Sequence, residues 1–89
     1  MIVAWTTGAI ADRDAIFDYI ETDNPRAAIA QDQLFSARAQ ILAQFPLLGR
    51  PGRVAGTREL VEGNFIMVYQ IAGDAIRIIR VLHGARQWP

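Results

Sequence analysis

The chain is 89 residues long, has neither Cys nor Lys, and sets nine Arg against nine Asp plus Glu for a formal charge of zero. This length predicts one domain spanning residues 1–89, and the missing Cys excludes disulfides, thiolate zinc sites and thiol nucleophiles. A hydrophobic fraction of 52% against 20% charged excludes a disordered tail, and the longest apolar run falls far short of the ~18 residues of a membrane span.

Ile2 to Thr6 is a short β-prone run containing Trp5, with no basic stretch or cleavage signature before it, so a cytoplasmic protein is expected. Thr6 or Thr7 can cap a helix running to about Thr22. Ile10, Ile16, Tyr19 and Ile20 recur at helical spacing, opposite Asp12, Asp14, Asp18 and Glu21. Asn24-Pro25 then reads as a cap followed by Pro at the first helical position. The second helix is expected to run to about Phe45, with an apolar stripe of Leu34, Ala37, Ile41, Leu42 and Phe45. So short a connection makes the two helices an antiparallel hairpin. Pro46 ends the second helix, and Leu47 to Gly56, rich in Gly and Pro with Arg50 and Arg53, reads as a basic surface loop.

The period then changes. Thr57–Val61, Phe65–Ile71 and Ala75–Leu82 are β-branched and aromatic, separated by the turn signals Glu62-Gly63-Asn64 and Ala72-Gly73-Asp74. The expected architecture is α+β, in the order β-α-α-β-β-β: an antiparallel sheet packed on one face by a helical hairpin.

Charge is distributed unevenly along this order. Residues 1–48 carry three Arg against six acidic residues, a net −3, whereas residues 49–89 carry six Arg against three, a net +3. A basic second half suits nucleic acid or an acidic protein surface, although a mixed solvated surface is the plainer explanation. Alternation in the last strand places Ile76, Ile78, Arg80 and Leu82 on one side and Arg77, Ile79, Val81 and His83 on the other, unless a bulge intervenes. Arg58, Arg80, His83 and Arg86 are expected to converge near one sheet end as donors for phosphate or carboxylate. Tyr69 fits either core or site, and Trp88 fits a clip for the tail. The chain has no G-x-x-x-x-G-K-[ST] or G-x-G-x-x-G loop. One His and a solvated acidic face offer no metal site, and Ser36, mid-helix, has no His–acid pair. No cofactor is expected.

In this order, one set of residues resembles the RelE/ParE superfamily of type II toxin–antitoxin toxins over nearly the whole chain. The set comprises Trp5; Asp12, Ile16, Tyr19 and Ile20; Asn24-Pro25; Phe45-Pro46-Leu47-Leu48-Gly49-Arg50; Thr57-Arg58-Glu59-Leu60-Val61; Val68-Tyr69; and Arg80-Val81-Leu82-His83-Gly84-Ala85-Arg86-Gln87-Trp88-Pro89. Arg13 departs from it, since the family usually has an apolar residue after the Asp.

The resemblance implies one of two targets. RelE-like members cut mRNA in the ribosome without a metal, using basic residues to stabilise the phosphorane and move protons at the 2′-hydroxyl. ParE-like members poison DNA gyrase. The mRNA-cutting pattern wants a cation on the second strand, an Arg before the middle-strand Val-Tyr pair, a C-terminal Arg and often a terminal Tyr or His. Here Arg58 and Arg86 answer to that pattern, but Phe65-Ile66-Met67 stand before Val68-Tyr69 and the chain closes on Trp88-Pro89. Losing one preorganised cation typically costs about 3 kcal/mol in the transition state. The Arg-Val-Leu-His ending is closer to ParE.

The leading expectation is therefore a gyrase poison whose target contacts are Arg58, Arg77, Arg80, His83, Arg86 and Trp88. Ribosome-dependent mRNA cleavage by Arg58, His83 and Arg86 is the alternative, and a non-toxic interaction module a third. Either toxic reading implies a cognate antitoxin, ParD-like or similar, laid over the helical hairpin and a sheet edge in a heteromeric complex.

Overall fold

The computed structural model describes residues 1–84; residues 85–89, and with them Arg86 and Trp88, lie outside the described part. The elements are β1 (Ile2–Trp5), α1 (Thr7–Glu21), α2 (Pro25–Gln44), β2 (Arg50–Pro51), β3 (Arg58–Glu62), β4 (Phe65–Ala72) and β5 (Ala75–His83). No helix among the described residues is long and apolar enough to cross a membrane.

Local signals set the boundaries. Thr6 Oγ1 accepts from Ala9 N at 3.1 Å and donates to Ile79 O at 3.0 Å, so the cap of α1 also ties that helix to β5. Asn24 Oδ1 accepts from Ala27 N at 3.1 Å ahead of Pro25, and α2 stops at Phe45, whose extended φ of −128° is what the following Pro46 demands. β3–β4 and β4–β5 are joined by two-residue turns, Gly63-Asn64 and Gly73-Asp74. Positive φ is confined to the first residue of each turn, +58° at Gly63 and +61° at Gly73, as in a type II′ hairpin.

Both helices lie on one face of a five-stranded sheet ordered β1-β5-β4-β3-β2. The expected α+β class and element order stand, with two additions. β1 runs parallel to β5, making the sheet mixed, and the basic loop contains the two-residue strand β2, antiparallel to β3. The core joins Ala9 of α1 and Phe35, Ala39 and Leu42 of α2 to Leu60, Met67, Tyr69, Ile76, Ile78 and Val81 of the sheet.

A bulge corrects the alternation of β5. Val68 pairs with Arg80 but Tyr69 with Ile78, which leaves Ile79 as the extra residue. Past it, Val81 rather than Arg80 follows Ile76 and Ile78 into the core.

Arg13, the departure from the family pattern, bridges the helices. Its guanidinium lies 4.4 Å from the Trp5 ring centroid and donates to Asp32 Oδ1, Asp32 O and Ser36 Oγ, each at 2.9 Å. A delocalised planar cation can stack on one partner and fork to others, which an apolar side chain cannot.

Candidate functional site

The chemistry-bearing residues fall at two ends of β4. At the Phe65 end, α1, α2, the β3–β4 turn, the start of β4 and the end of β5 enclose an open groove of about 610 Å³. Ala15, Ile16, Tyr19 and Ile20 of α1, Phe65 and Val81 give it apolar walls, with Asp12, Gln31, Asn64 and His83 as the polar lining. Phe65 is fixed edge-on between Phe35 and His83, at centroid distances of 5.4 and 5.7 Å. His83 is exposed at the end of β5.

Asp12 is fully engaged. Its carboxylate accepts from Arg80 Nε at 2.7 Å, Arg80 Nη2 at 3.1 Å and Val81 N at 2.9 Å, a forked ion pair closed by a backbone donor. The pairing of β5 with β1 ends at Ile78, and beyond the bulge both Arg80 and the Val81 N–H reach Asp12 on α1. The pair raises the Arg80 pKa further above its ordinary value, chiefly through the hydrogen bond to Asp12, which outweighs the lowering effect of burial and is helped least by the Asp12 charge. Gln31 is different: its Nε2 is buried without a hydrogen-bond partner among the described residues. Such an orphaned donor costs roughly 1–3 kcal/mol, and it lines the groove.

At the other end, Tyr69 is fully buried in the core. Its hydroxyl donates to Pro46 O at 2.7 Å and accepts from Gly49 N at 2.9 Å. Arg58 reaches the same loop, Nε donating to Gly49 O at 3.0 Å and Nη2 to Gly49 O and Leu47 O at 2.6 and 3.2 Å. Glu59, only 4% exposed, accepts from Arg50 Nη2 at 3.2 Å and Arg53 N at 3.3 Å.

The expected convergence of Arg58, Arg80 and His83 is not what the register makes. Arg58 pairs with Tyr69 whereas His83 pairs with Phe65, four residues away along β4 and so about 13 Å apart in strand rise. Arg58 and Arg80 are both turned inward onto protein acceptors. Arg77 alternates with the core residues Ile76 and Ile78, which places it exposed on the face away from the helices. Arg86 and Trp88 lie outside the described residues.

Sequence reasoning did not single out Gln31, since nothing in a helical pattern distinguishes a half-buried amide from an exposed one. It also left Tyr69 open between core and site. The Gly49 it sits against was a usable signal: a Cβ there would fall 2.6 Å from the Tyr69 hydroxyl.

A two-helix hairpin on a small mixed sheet, with an open, largely apolar groove at one end, places the chain in a small α+β class, and no group of three or more potential metal ligands occurs among the described residues. Comparison with known proteins agrees on the class. The family model for the ParE toxin of the type II toxin–antitoxin system parDE matches residues 3–88. "Putative toxin Y4kP" of Sinorhizobium fredii is 39% identical over 98% of this chain and 92% of that protein. "Toxin RelE2" of Caulobacter vibrioides is 33% identical over 94% of this chain and 96% of that protein. Among solved structures, the chromosomal ParDE system from P. aeruginosa superposes with a TM-score of 0.83 at 30% identity, covering 93% of this chain and 95% of that one. The toxin–antitoxin complex RelBE2 from Mycobacterium tuberculosis gives 0.68 at 27% identity, covering 92% and 95%. The chain belongs to the ParE family of type II toxin–antitoxin toxins, within the wider RelE/ParE superfamily.

Proposed function

We propose that this toxin arrests growth by poisoning DNA gyrase and that a cognate antitoxin neutralises it by filling the groove at the Phe65 end. The observation that carries the target reading is the engagement of Arg58. A metal-free nuclease of this superfamily needs a second-strand cation aimed at the phosphate, and here that guanidinium is bonded to the Leu47 and Gly49 carbonyls. Redirecting it to a phosphate would first break three hydrogen bonds to backbone carbonyls. The middle strand offers no replacement, because Ile66 and Met67 occupy the positions before Val68-Tyr69.

On this reading Arg77 and His83, with Arg86 and Trp88, contact the target, and Arg58 and Arg80 hold the scaffold in shape. Poisoning requires tighter binding to the cleaved-DNA state of gyrase than to the resting enzyme, so that this state accumulates. The antitoxin supplies a bulky apolar side chain against Ile16, Ile20 and Phe65 and an acceptor for Gln31 Nε2, in the helix-in-groove manner. The similarity to ParDE and RelBE2, both solved as toxin–antitoxin systems, supports such a partner.

Purified chain added to gyrase and relaxed plasmid tests the target. The expected result is loss of supercoiling with accumulation of cleaved plasmid, weakened by Arg77→Ala. Unimpaired supercoiling would sink the gyrase reading. Similarity to the relative named RelE2 and the presence of Arg86 favour one second reading, ribosome-dependent mRNA cleavage. Pulse-labelling after induction separates the two: an early fall in thymidine incorporation alone marks gyrase, and one in methionine alone marks mRNA.

A further inference from the structure

The loop between α2 and β2 holds apolar side chains in solvent on a backbone that is fixed from beneath. Phe45, Leu47 and Leu48 are 61%, 70% and 50% exposed. Their side chains add little to the core, yet the five residues Pro46 to Arg50 receive the Tyr69 hydroxyl at Pro46 O and Gly49 N and the Arg58 guanidinium at Leu47 O and Gly49 O. Leu48 N also donates to Phe45 O at 3.0 Å. A backbone so tethered has little conformational freedom left to lose when a partner arrives, which lowers the cost of binding.

The sequence stretch that contains the loop carries charge of one sign. Between Asp32 and Glu59 every charged residue is Arg: Arg38, Arg50, Arg53 and Arg58. Glu59 is buried and pairs with Arg50, Arg38 pairs with Glu62 and Arg58 is bonded to the loop backbone, which leaves the exposed Arg53 with a side chain that makes no internal bond among the described residues. Arg50 keeps 58% of its side chain exposed.

We infer that the Leu47-Leu48 loop with Arg50 and Arg53 is a second docking surface, for a protein segment that sets bulky apolar side chains beside Asp or Glu. Two leucines at its centre match a protein partner with a desolvated apolar centre and a charged rim. Single-stranded nucleic acid would call for aromatic rings under the bases. The surface is distinct from the groove: Gln31 and Phe45 are fourteen residues apart on α2 and its cap, about 21 Å at ~1.5 Å per residue. The inference does not depend on gyrase being the target.

The test is selection of a random dodecapeptide display library on the full 89-residue chain, followed by affinity measurements with the resynthesised peptides. Peptides combining Leu, Phe or Trp with Asp or Glu are expected. Their affinity should fall at least tenfold on the double variant Leu47→Ser, Leu48→Ser and at least threefold on Arg53→Glu, whose side chain makes no internal bond among the described residues. Circular dichroism of each variant confirms folding. Tyr19→Ala, in the groove, should leave these affinities unchanged. The inference is overturned if no peptide is recovered, if the peptides lack acidic residues, or if binding ignores the loop variants. It is also overturned if a 20-nucleotide single-stranded DNA binds through the same residues, or if sedimentation shows a self-dimer that the leucine double variant abolishes.

Discussion

The two ends of β4 use polar groups in opposite ways. Around Tyr69 the polar atoms face inward and find partners: a hydroxyl with two bonds, a guanidinium with three, and a buried carboxylate with two. That end is complete without help and displays leucines outward. Around Phe65 the apolar walls stand open, and Gln31 keeps a buried donor without an acceptor. The contrast separates two kinds of surface: the first end offers a rigid one, while the second holds a buried donor without an acceptor among the described residues.

The largest expected effect breaks the closed end. In Gly49→Ala the new Cβ would meet Tyr69 Oη at 2.6 Å, Tyr69 Cε1 at 2.7 Å and Glu59 O at 2.8 Å. None of the three yields easily, because the ring is fully buried and the carbonyl belongs to the strand that pairs with β2. Urea unfolding should show a loss of about 3 kcal/mol, the upper end for overpacking. Stability within 0.5 kcal/mol of wild type would mean that the loop is not held as described.

Asp12→Ala comes next. It leaves the Val81 N–H without its acceptor, worth roughly 1–3 kcal/mol, and loosens Arg80, whose partial exposure lets water replace part of the lost bond. A loss of about 2 kcal/mol is expected. If Asp12→Asn, which keeps one acceptor oxygen, recovers about half of it, the backbone bond rather than the charge carries the latch.

The latch also marks how far the sequence could be read. Element order was legible because each boundary has a local chemical cause: Thr6 and Asn24 cap, Pro46 stops, and Gly63 and Gly73 turn. The β1–β5 pairing was not, since the backbone groups that pair are the same in any strand and carry no side-chain signature across seventy residues. β2 was hidden by its own Pro51, which argues against a strand from sequence alone. Arg80 was assigned to the wrong set of neighbours because one extra residue in β5 inverts everything after it. Arg58 read as a free donor because its acceptors are main-chain carbonyls, which no motif displays. Charged residues in the second half were easy to find, but which of them face outward was decided by register.

At the open end the same kind of change should leave the fold alone. Tyr19 is 81% exposed, so Tyr19→Ala should shift stability by less than 0.5 kcal/mol. If the groove takes the antitoxin, affinity for the co-encoded partner should drop about tenfold, near 1.4 kcal/mol, by calorimetry on the purified pair. Unchanged affinity would move the antitoxin elsewhere.

The smallest effect is the most discriminating, because its sign differs from the others. Gln31→Leu removes the orphaned amide at nearly constant volume and substitutes a strong helix former within α2. The free chain should gain about 1 kcal/mol, since a desolvated donor disappears and nothing that was bonded is lost. The complex should weaken, because the acceptor that met Nε2 now faces a methyl group and is itself left unpaired. A variant more stable alone and less tightly held by its partner would show that the amide is kept for recognition. A gain in stability with unchanged affinity would make Gln31 a bystander, and a loss of stability would mean that the donor has a partner in solution after all.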